Sequence, residues 1–151
     1  FYDVKKYLRS DGIFMFTTVG PNTLKELQKA YKHIDVEQHV NSFTDMHLYG
    51  DSLLKCGFDD PVMDSEEITI EYPTFKEVLN SLKKTGANTV IGQEPKYLSK
   101  KSYMSLSQAY PKNKDNGHFP VTYEMIYGMS WNRSKTDIDH SQNRVIPIKK
   151  I

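Results

Sequence analysis

The sequence predicts an α/β fold, in which helices cover a β-sheet. Segments typical of strands alternate along the chain with segments whose apolar residues recur at helical spacing. The first predicted strand, Ile13 to Val19, is nearly continuous in apolar and β-branched residues, as strands buried on both faces usually are. The 151 residues, 38% of them hydrophobic and 26% charged, suffice for one ordinary domain with its own core. Three predicted strands, however, are too few for a complete doubly wound sheet.

Helices are predicted on both sides of this first strand. Phe1 to Leu8 is typical of the end of a helix, so we expect the chain to begin inside a domain. A second helix begins at Thr23, after which four apolar residues repeat at helical spacing: Leu24, Leu27, Tyr31 and Ile34. Asp35 to Phe43 is irregular, and a third helix is predicted from Thr44 to Gly57.

The second half of the chain alternates in the same way. A strand with one solvent-exposed face is predicted up to Tyr72, where isoleucines alternate with polar residues. Thr74 and Glu77 form a capping-box pattern that begins the next helix. A short helix follows around Leu106, and Phe119 to Tyr127 is predicted to be the last strand. We therefore expect a domain over residues 1–131 and a polar tail over residues 132–151, with a short terminal strand possible at residues 145–148.

Composition and charge argue against several classes of protein. The net charge is only +1, and no basic stripe is interleaved with aromatic residues, so we expect no nucleic-acid partner. No apolar run approaches the roughly 20 residues that span a bilayer, and no signal peptide is visible. The single cysteine, Cys56, cannot form an internal disulfide and fits a reducing compartment. We expect no membrane association and a cytoplasmic location.

Common chemical motifs are absent from the sequence. It contains no glycine-rich dinucleotide loop, no phosphate-binding loop, no zinc-protease motif and no paired CxxC. Asp137, Asp139 and His140 lie close together, but in the polar tail, and we expect no metal there. Composition and pattern alone therefore predict an α/β domain without a defined chemistry.

Three blocks of sequence nevertheless resemble one enzyme family. They are GIFMFTTVGPNTLKEL from Gly12 to Leu27, HVNSFTDMH from His39 to His47, and the GxxPxTxExxYGxxW pattern from Gly117 to Trp131. In these blocks the chain resembles the malonyl-acyl-carrier-protein O-methyltransferases of biotin synthesis. The same region also resembles methyltransferase-like assembly factors of respiratory complex I. Asn41 and the Val62-Met63-Asp64 triplet fit the biotin enzymes better.

The resemblance implies the C-terminal part of a class I, Rossmann-like methyltransferase that depends on S-adenosylmethionine. Ile13 to Val19 would be its fifth strand, and the last strand would be antiparallel. The family's glycine-rich cofactor loop and ribose-binding acidic residue have no counterpart here. We therefore expect the cofactor site to lie mostly outside this chain, and the chain alone to be inactive.

The implied reaction is methylation of the free carboxylate of malonyl-acyl-carrier protein. A carboxylate has a reference pKa of about 4, so it is already ionised and nucleophilic near neutral pH. No general base is required, and catalysis can depend on alignment and the exclusion of water. For this reason no residue of the chain is assigned a catalytic role.

Five residues are candidates for the substrate side of the site. Thr17, Thr18 and Gly20 lie at the carboxyl end of the predicted fifth strand, where ligands of parallel α/β sheets gather. The alternative is that the two threonines simply end the strand. His39 and Asn41 lie in the irregular segment that could form a lid. They would either donate hydrogen bonds to the malonyl or pantetheine group, or cap the helix that follows.

Lysines are the candidates for docking an acidic carrier protein. Lys100 and Lys101 come first because we expect them in an irregular polar segment before the last strand. Lys25 and Lys29, on the outward face of a predicted helix, come second, although ordinary surface lysines look the same in a sequence. The exposed edge of a partial sheet would also favour self-association of the chain. The alternative function is a non-catalytic module of the assembly-factor type, acting on a complex I partner.

Overall fold

The computed structural model describes residues 1–34, 39–86 and 98–133. Within these ranges, five helices and three strands follow one another. In chain order they are α1 (Tyr2–Tyr7), β1 (Gly12–Val19), α2 (Lys25–Lys32), α3 (Met46–Lys55), β2 (Asp59–Tyr72), α4 (Phe75–Lys84), α5 (Lys100–Ala109) and β3 (Phe119–Asn132). The predicted α/β class and the order of its elements are confirmed. The predicted tail from residue 134 onward, including its possible terminal strand, lies outside the described residues.

The three strands form one sheet in the order β1-β3-β2. The last strand, β3, is antiparallel to both neighbours, so β1 and β2 run parallel to each other. Gly128 of β3 pairs with Phe16 of β1 on one side and with Met63 of β2 on the other. The antiparallel last strand that the resemblance implied is therefore present, and it lies between the two earlier strands.

Side-chain caps explain where three of the helices begin. The carboxylate of Asp45 accepts a hydrogen bond from the backbone nitrogen of His47 and caps α3. The hydroxyl of Thr74 caps α4, as its capping-box pattern predicted, and Ser99 caps α5. Helices α3 and α4 begin within two residues of their predicted starts, whereas α5 begins earlier than the sequence predicted.

Helices α2, α4 and α5 pack against the first half of β3. Their buried core includes Leu24, Leu27, Ala30, Phe75, Val78, Leu82, Leu106, Tyr110, Phe119 and Val121. The ring of Phe75 contacts the rings of Tyr110 and Phe119, with centroids 5.4 and 5.9 Å apart. The Tyr110 hydroxyl donates a hydrogen bond to the carbonyl oxygen of Pro120 at 2.7 Å, which ties α5 to the start of β3.

A second, aromatic cluster covers the opposite face of the sheet next to β1. Phe14 and Phe16 stack with centroids 5.4 Å apart, and the rings of Phe58 and Tyr49 pack on them. Gly128 makes this packing possible, because a Cβ atom there would lie 2.2 Å from the Phe16 ring. Phe16 thus lies directly across the central strand.

The prediction that β1 is buried on both faces is wrong. Its side chains alternate: Phe14 and Phe16 are half-buried, whereas Ile13 is 44% and Met15 is 70% exposed. Val62 of β2 and Tyr127 of β3 are also exposed on this side, which we call the bare face. A continuous apolar run shows that both faces of a strand suit burial, but it does not show which elements cover them.

Candidate functional site

The turn after β1 continues to pair with β3 beyond the end of the strand. The backbone nitrogen of Gly20 donates to the carbonyl oxygen of Glu124 at 2.8 Å, and that of Leu24 donates to the carbonyl oxygen of Thr122 at 2.7 Å. Leu24 adopts a left-handed conformation with φ of 58°, which turns the chain into α2. The carboxyl end of β1 is therefore closed by a turn that is held against the central strand.

Glu124 makes most of the contacts that hold this turn. Its Oε2 accepts a hydrogen bond from the backbone nitrogen of Asn22 at 2.7 Å. Its own backbone nitrogen donates to the hydroxyl of Thr23 at 3.1 Å. A Cβ atom on Gly20 would lie 2.5 Å from the Glu124 carboxyl carbon, so the Glu124 side chain lies over the glycine. The structure thus gives Gly20 a packing role: it leaves room for Glu124.

Glu26 fixes the next part of β3 in a similar way. Its carboxylate, in a residue only 8% exposed, accepts hydrogen bonds from the backbone nitrogen and the hydroxyl of Thr122. Neither Glu26 nor Glu124 was identified as a site residue from the sequence. The available signal was that each is a specified position of the family pattern, in TLxEL and in PxTxE respectively.

The two candidate threonines lie on opposite faces of the sheet. Thr17 pairs with Tyr127 and is exposed on the bare face, whereas Thr18 pairs with Ile126 and is half-buried on the aromatic face. They therefore do not point into one common crevice.

The bare face holds an open depression of about 470 Å³. Its lining includes Met15, Thr17, Val62, Asp64, Tyr127 and Met129. The Tyr127 hydroxyl donates to Oε1 of Glu66 at 2.5 Å, and this hydrogen bond to a carboxylate raises the pKa of the phenol. The depression offers an apolar floor with hydroxyl and carboxylate groups on one side.

His39 lies beside the end of α2, and Asn41 follows it two residues later. The His39 ring stacks on Tyr31 with centroids 4.0 Å apart and an interplanar angle of 10°. Val40 packs against the core formed by α2, α4 and α5. The N-cap of α3 is Asp45 rather than either of these candidates. This part of the predicted lid is therefore attached to the last turn of α2.

The candidate lysines differ in their surroundings. Lys25 forms an ion pair with Glu67 at 2.5 Å, whereas Lys29 is exposed on the same helix. The prediction that Lys100 and Lys101 lie in an irregular segment is wrong, because the Ser99 cap starts α5 at Lys100 and both lysines occupy its first turn. Helices α2 and α5 contact each other, so the two groups of lysines lie on neighbouring helices.

No cluster of acidic, cysteine or histidine side chains that could hold a metal ion occurs in residues 1–34, 39–86 and 98–133. In the same ranges, no helix is both long enough and apolar enough to cross a membrane.

The chain is similar in sequence to a group of curated methyltransferases. It is 42% identical over 132 residues to the malonyl-[acyl-carrier protein] O-methyltransferase of Gallionella capsiferriformans, which is 87% of this chain and 46% of that protein. It is also 42% identical over 127 residues to the enzyme of the same name from Laribacter hongkongensis, covering 83% of this chain and 43% of the relative. The chain thus spans about half the length of the curated relatives it matches.

A weaker similarity relates the chain to a protein with another name. The mitochondrial arginine-hydroxylase NDUFAF5 of Dictyostelium discoideum is 30% identical over 140 residues, covering 87% of this chain and 32% of that protein. No family model matches the chain.

One solved structure shares the fold. It is the crystal structure of a protein titled "putative methyltransferase" from Bacillus halodurans C-125, with a TM-score of 0.51. The match covers 88% of this chain and 61% of the other, at 9% sequence identity. The sheet and its helices therefore have the arrangement seen in part of that structure.

Proposed function

We propose that this chain, which is homologous to the malonyl-[acyl-carrier protein] O-methyltransferases over most of its length, supplies the C-terminal half of such an enzyme. The complete protein would use S-adenosylmethionine to methylate the free carboxylate of malonyl-acyl-carrier protein, as in the early steps of biotin synthesis. The observation that carries this proposal is the 42% identity across 132 residues. A cytoplasmic location is part of the proposal.

We propose that the described residues supply only part of a site for S-adenosylmethionine. At the carboxyl end of β1, the space over Gly20 is filled by the Glu124 side chain. The depression on the bare face is open and mainly apolar, with few groups that could bind an adenosine. S-adenosylmethionine supplies the methyl group, and we propose that the remaining half of a longer protein binds most of it.

This chain would contribute the positioning of the substrate. The malonyl carboxylate is ionised near neutral pH, so no side chain here needs to remove a proton. Holding a reactant in the correct geometry and excluding water can supply a large part of a rate enhancement. His39, which stacks on Tyr31 of α2, and the nearby Asn41 are the proposed contacts to the malonyl or pantetheine group. Thr17, on the bare face, is a separate candidate that would face the other half of the proposed longer protein.

An acidic carrier protein would dock on the surface of α2 and α5. Lys100 and Lys101 remain the first candidates because both are exposed in the first turn of α5. Lys29 is next, since it is exposed on the helix that contacts α5. Lys25 is the weakest candidate, because Glu67 already neutralises its charge.

The direct test uses a protein of the relatives' length that contains this chain. Incubated with S-adenosylmethionine, it should add one methyl group to malonyl-carrier protein, observed by mass spectrometry of the intact carrier. Acetyl-carrier protein, which lacks the free carboxylate, is the matched control and should remain unmodified. If the protein binds S-adenosylmethionine but leaves malonyl-carrier protein unmodified, the proposed substrate is wrong.

The alternative of a non-catalytic module acting on a complex I partner has weaker support. It is suggested by the resemblance of the sequence to assembly factors. The chain is 30% identical to NDUFAF5 of Dictyostelium discoideum, over 32% of the length of that protein. A protein that binds no S-adenosylmethionine, transfers no methyl group and still forms a stable complex with another protein would favour this alternative.

A further inference from the structure

We infer that Glu124 is a positioning residue of the proposed methyltransferase, an inference that rests on the proposed function. One side chain and its backbone contact three successive parts of the turn between β1 and α2: Gly20, Asn22 and Thr23. Hydrogen bonds to an ionised acceptor are roughly twice as strong as neutral ones, and the bond from Asn22 is of this kind. Glu124 therefore fixes the turn at the carboxyl end of β1 in one conformation.

The turn transmits this constraint to the proposed substrate contacts. It ends at Leu24, which is the N-cap of α2. At the other end of the same helix, Tyr31 stacks on His39, and Val40 packs on the core nearby. A helix moves as a stiff unit, so releasing the turn would shift α2 and with it the segment that carries His39.

Glu124 acts through the turn rather than by contacting the substrate. The malonyl group carries a negative charge, and a second carboxylate close to it would repel it, with an energy that increases as water is excluded. The geometry provides a different use for the Glu124 carboxylate, because its Oε2 accepts the Asn22 N–H, which has no helical partner before α2 begins.

The kinetic experiment uses Glu124→Ala and Glu124→Gln in the full-length protein, with malonyl-carrier protein as substrate. Loss of the acceptor in Glu124→Ala should lower kcat/KM by about tenfold or more, and Glu124→Gln, which keeps an amide oxygen, should stay within about threefold. The affinity for S-adenosylmethionine, measured by calorimetry, should not change in either variant. Glu77→Ala, an exposed acid on α4, is the control and should retain its activity.

A double-mutant cycle separates this role from general destabilisation. Gly20→Ala would push the Glu124 side chain aside, so it should mimic Glu124→Ala in kcat/KM. Both changes release the same contact. The kcat/KM of the double variant should therefore be no lower than that of the less active single variant. Additive losses would overturn the inference, as would equal losses in Glu124→Ala and Glu124→Gln.

Hydrogen exchange in the 151-residue chain tests whether Glu124 holds the turn, a contact that we call the clamp. This measurement does not require enzymatic activity. In Glu124→Ala the Asn22 amide should exchange about tenfold faster, while the Leu24 amide, bonded to Thr122, remains protected. An unchanged Asn22 rate would show that Glu124 does not hold the turn. If the clamp is confirmed but wild-type protein methylates no malonyl thioester, the proposed function fails and Glu124 is a purely structural residue.

Discussion

The carboxylate of Glu26 accepts two hydrogen bonds from Thr122, from the backbone nitrogen at 3.0 Å and from the hydroxyl at 2.6 Å. β1 ends at Val19, opposite Met125, so Thr122 lies beyond the part of β3 that β1 can pair with. The Glu26 carboxylate thus accepts the hydrogen bond of the Thr122 backbone N–H, which a neighbouring strand would otherwise accept. It is a buried acid with a structural role, since both of these hydrogen bonds come from Thr122 of the sheet.

Removing this carboxylate should destabilise the fold. We predict that Glu26→Ala lowers the free energy of unfolding by about 2–3 kcal/mol, because a buried backbone N–H and a hydroxyl lose their acceptor. Glu26→Gln should lose less, since the amide oxygen can accept one of the two bonds. Urea denaturation followed by circular dichroism measures both. Asp51→Ala, at an exposed acid in the interior of α3, is the control, and a loss in Glu26→Ala no larger than in this control would contradict the prediction.

A second acid, Glu71, should make the stability of the fold depend on pH. Hydrogen bonds from the side-chain amides of Asn113 and Asn116 lower the pKa of Glu71 below its ordinary value of 4.5. A lowered folded-state pKa contributes stability that is present above the unfolded pKa and is lost as the pH falls through the folded pKa. In Asn113→Ala/Asn116→Ala, the Glu71 carboxyl pKa measured by NMR should rise toward 4.5. An unchanged titration would show that the amides do not bind it in solution.

The bare face should make the isolated chain associate with itself. Met15 is 70% exposed on a strand without charged residues, and no described strand pairs with the outer edge of β1. Such edges pair readily with other chains. We predict concentration-dependent oligomers by light scattering, which Met15→Lys should reduce. Met104→Lys, at a methionine 53% exposed on α5, is the matched control and should leave association unchanged. A monomer at all concentrations would contradict this prediction.

Local sequence signals predicted the elements of this fold better than the contacts between them. The capping-box pattern at Thr74 involves residues three positions apart, and the structure confirms it. The Glu26–Thr122 and Asn22–Glu124 contacts join residues 96 and 102 positions apart, and no periodic pattern reports such pairs. The covering of β1 was mispredicted for the same reason, because burial depends on elements far away in the chain. The family pattern includes Glu26 and Glu124, but it does not indicate which residues they contact.

The chain by itself should bind S-adenosylmethionine weakly or not at all. None of the sequence patterns that cradle such a cofactor is present, and the depression on the bare face is open to solvent. Calorimetry on the 151 residues should detect no micromolar binding, whereas a protein of the relatives' length should bind. Micromolar affinity in the isolated chain would show that these residues hold the main part of the cofactor site.

The final prediction concerns the acidic carrier protein. We expect Lys100→Glu/Lys101→Glu in the full-length protein to raise the KM for malonyl-carrier protein several-fold, with a weaker effect at high salt, because these exposed charges would speed the encounter. Malonyl-coenzyme A, which brings no acidic protein surface, should be turned over nearly as before. Acidic residues are favourable in the first turn of a helix, so the change should not unfold α5. Lys83→Glu/Lys84→Glu, an exposed pair on α4, is the matched control. Equal losses with both substrates would indicate damage to folding or to the active site, and no loss with either would show that these lysines do not dock the carrier.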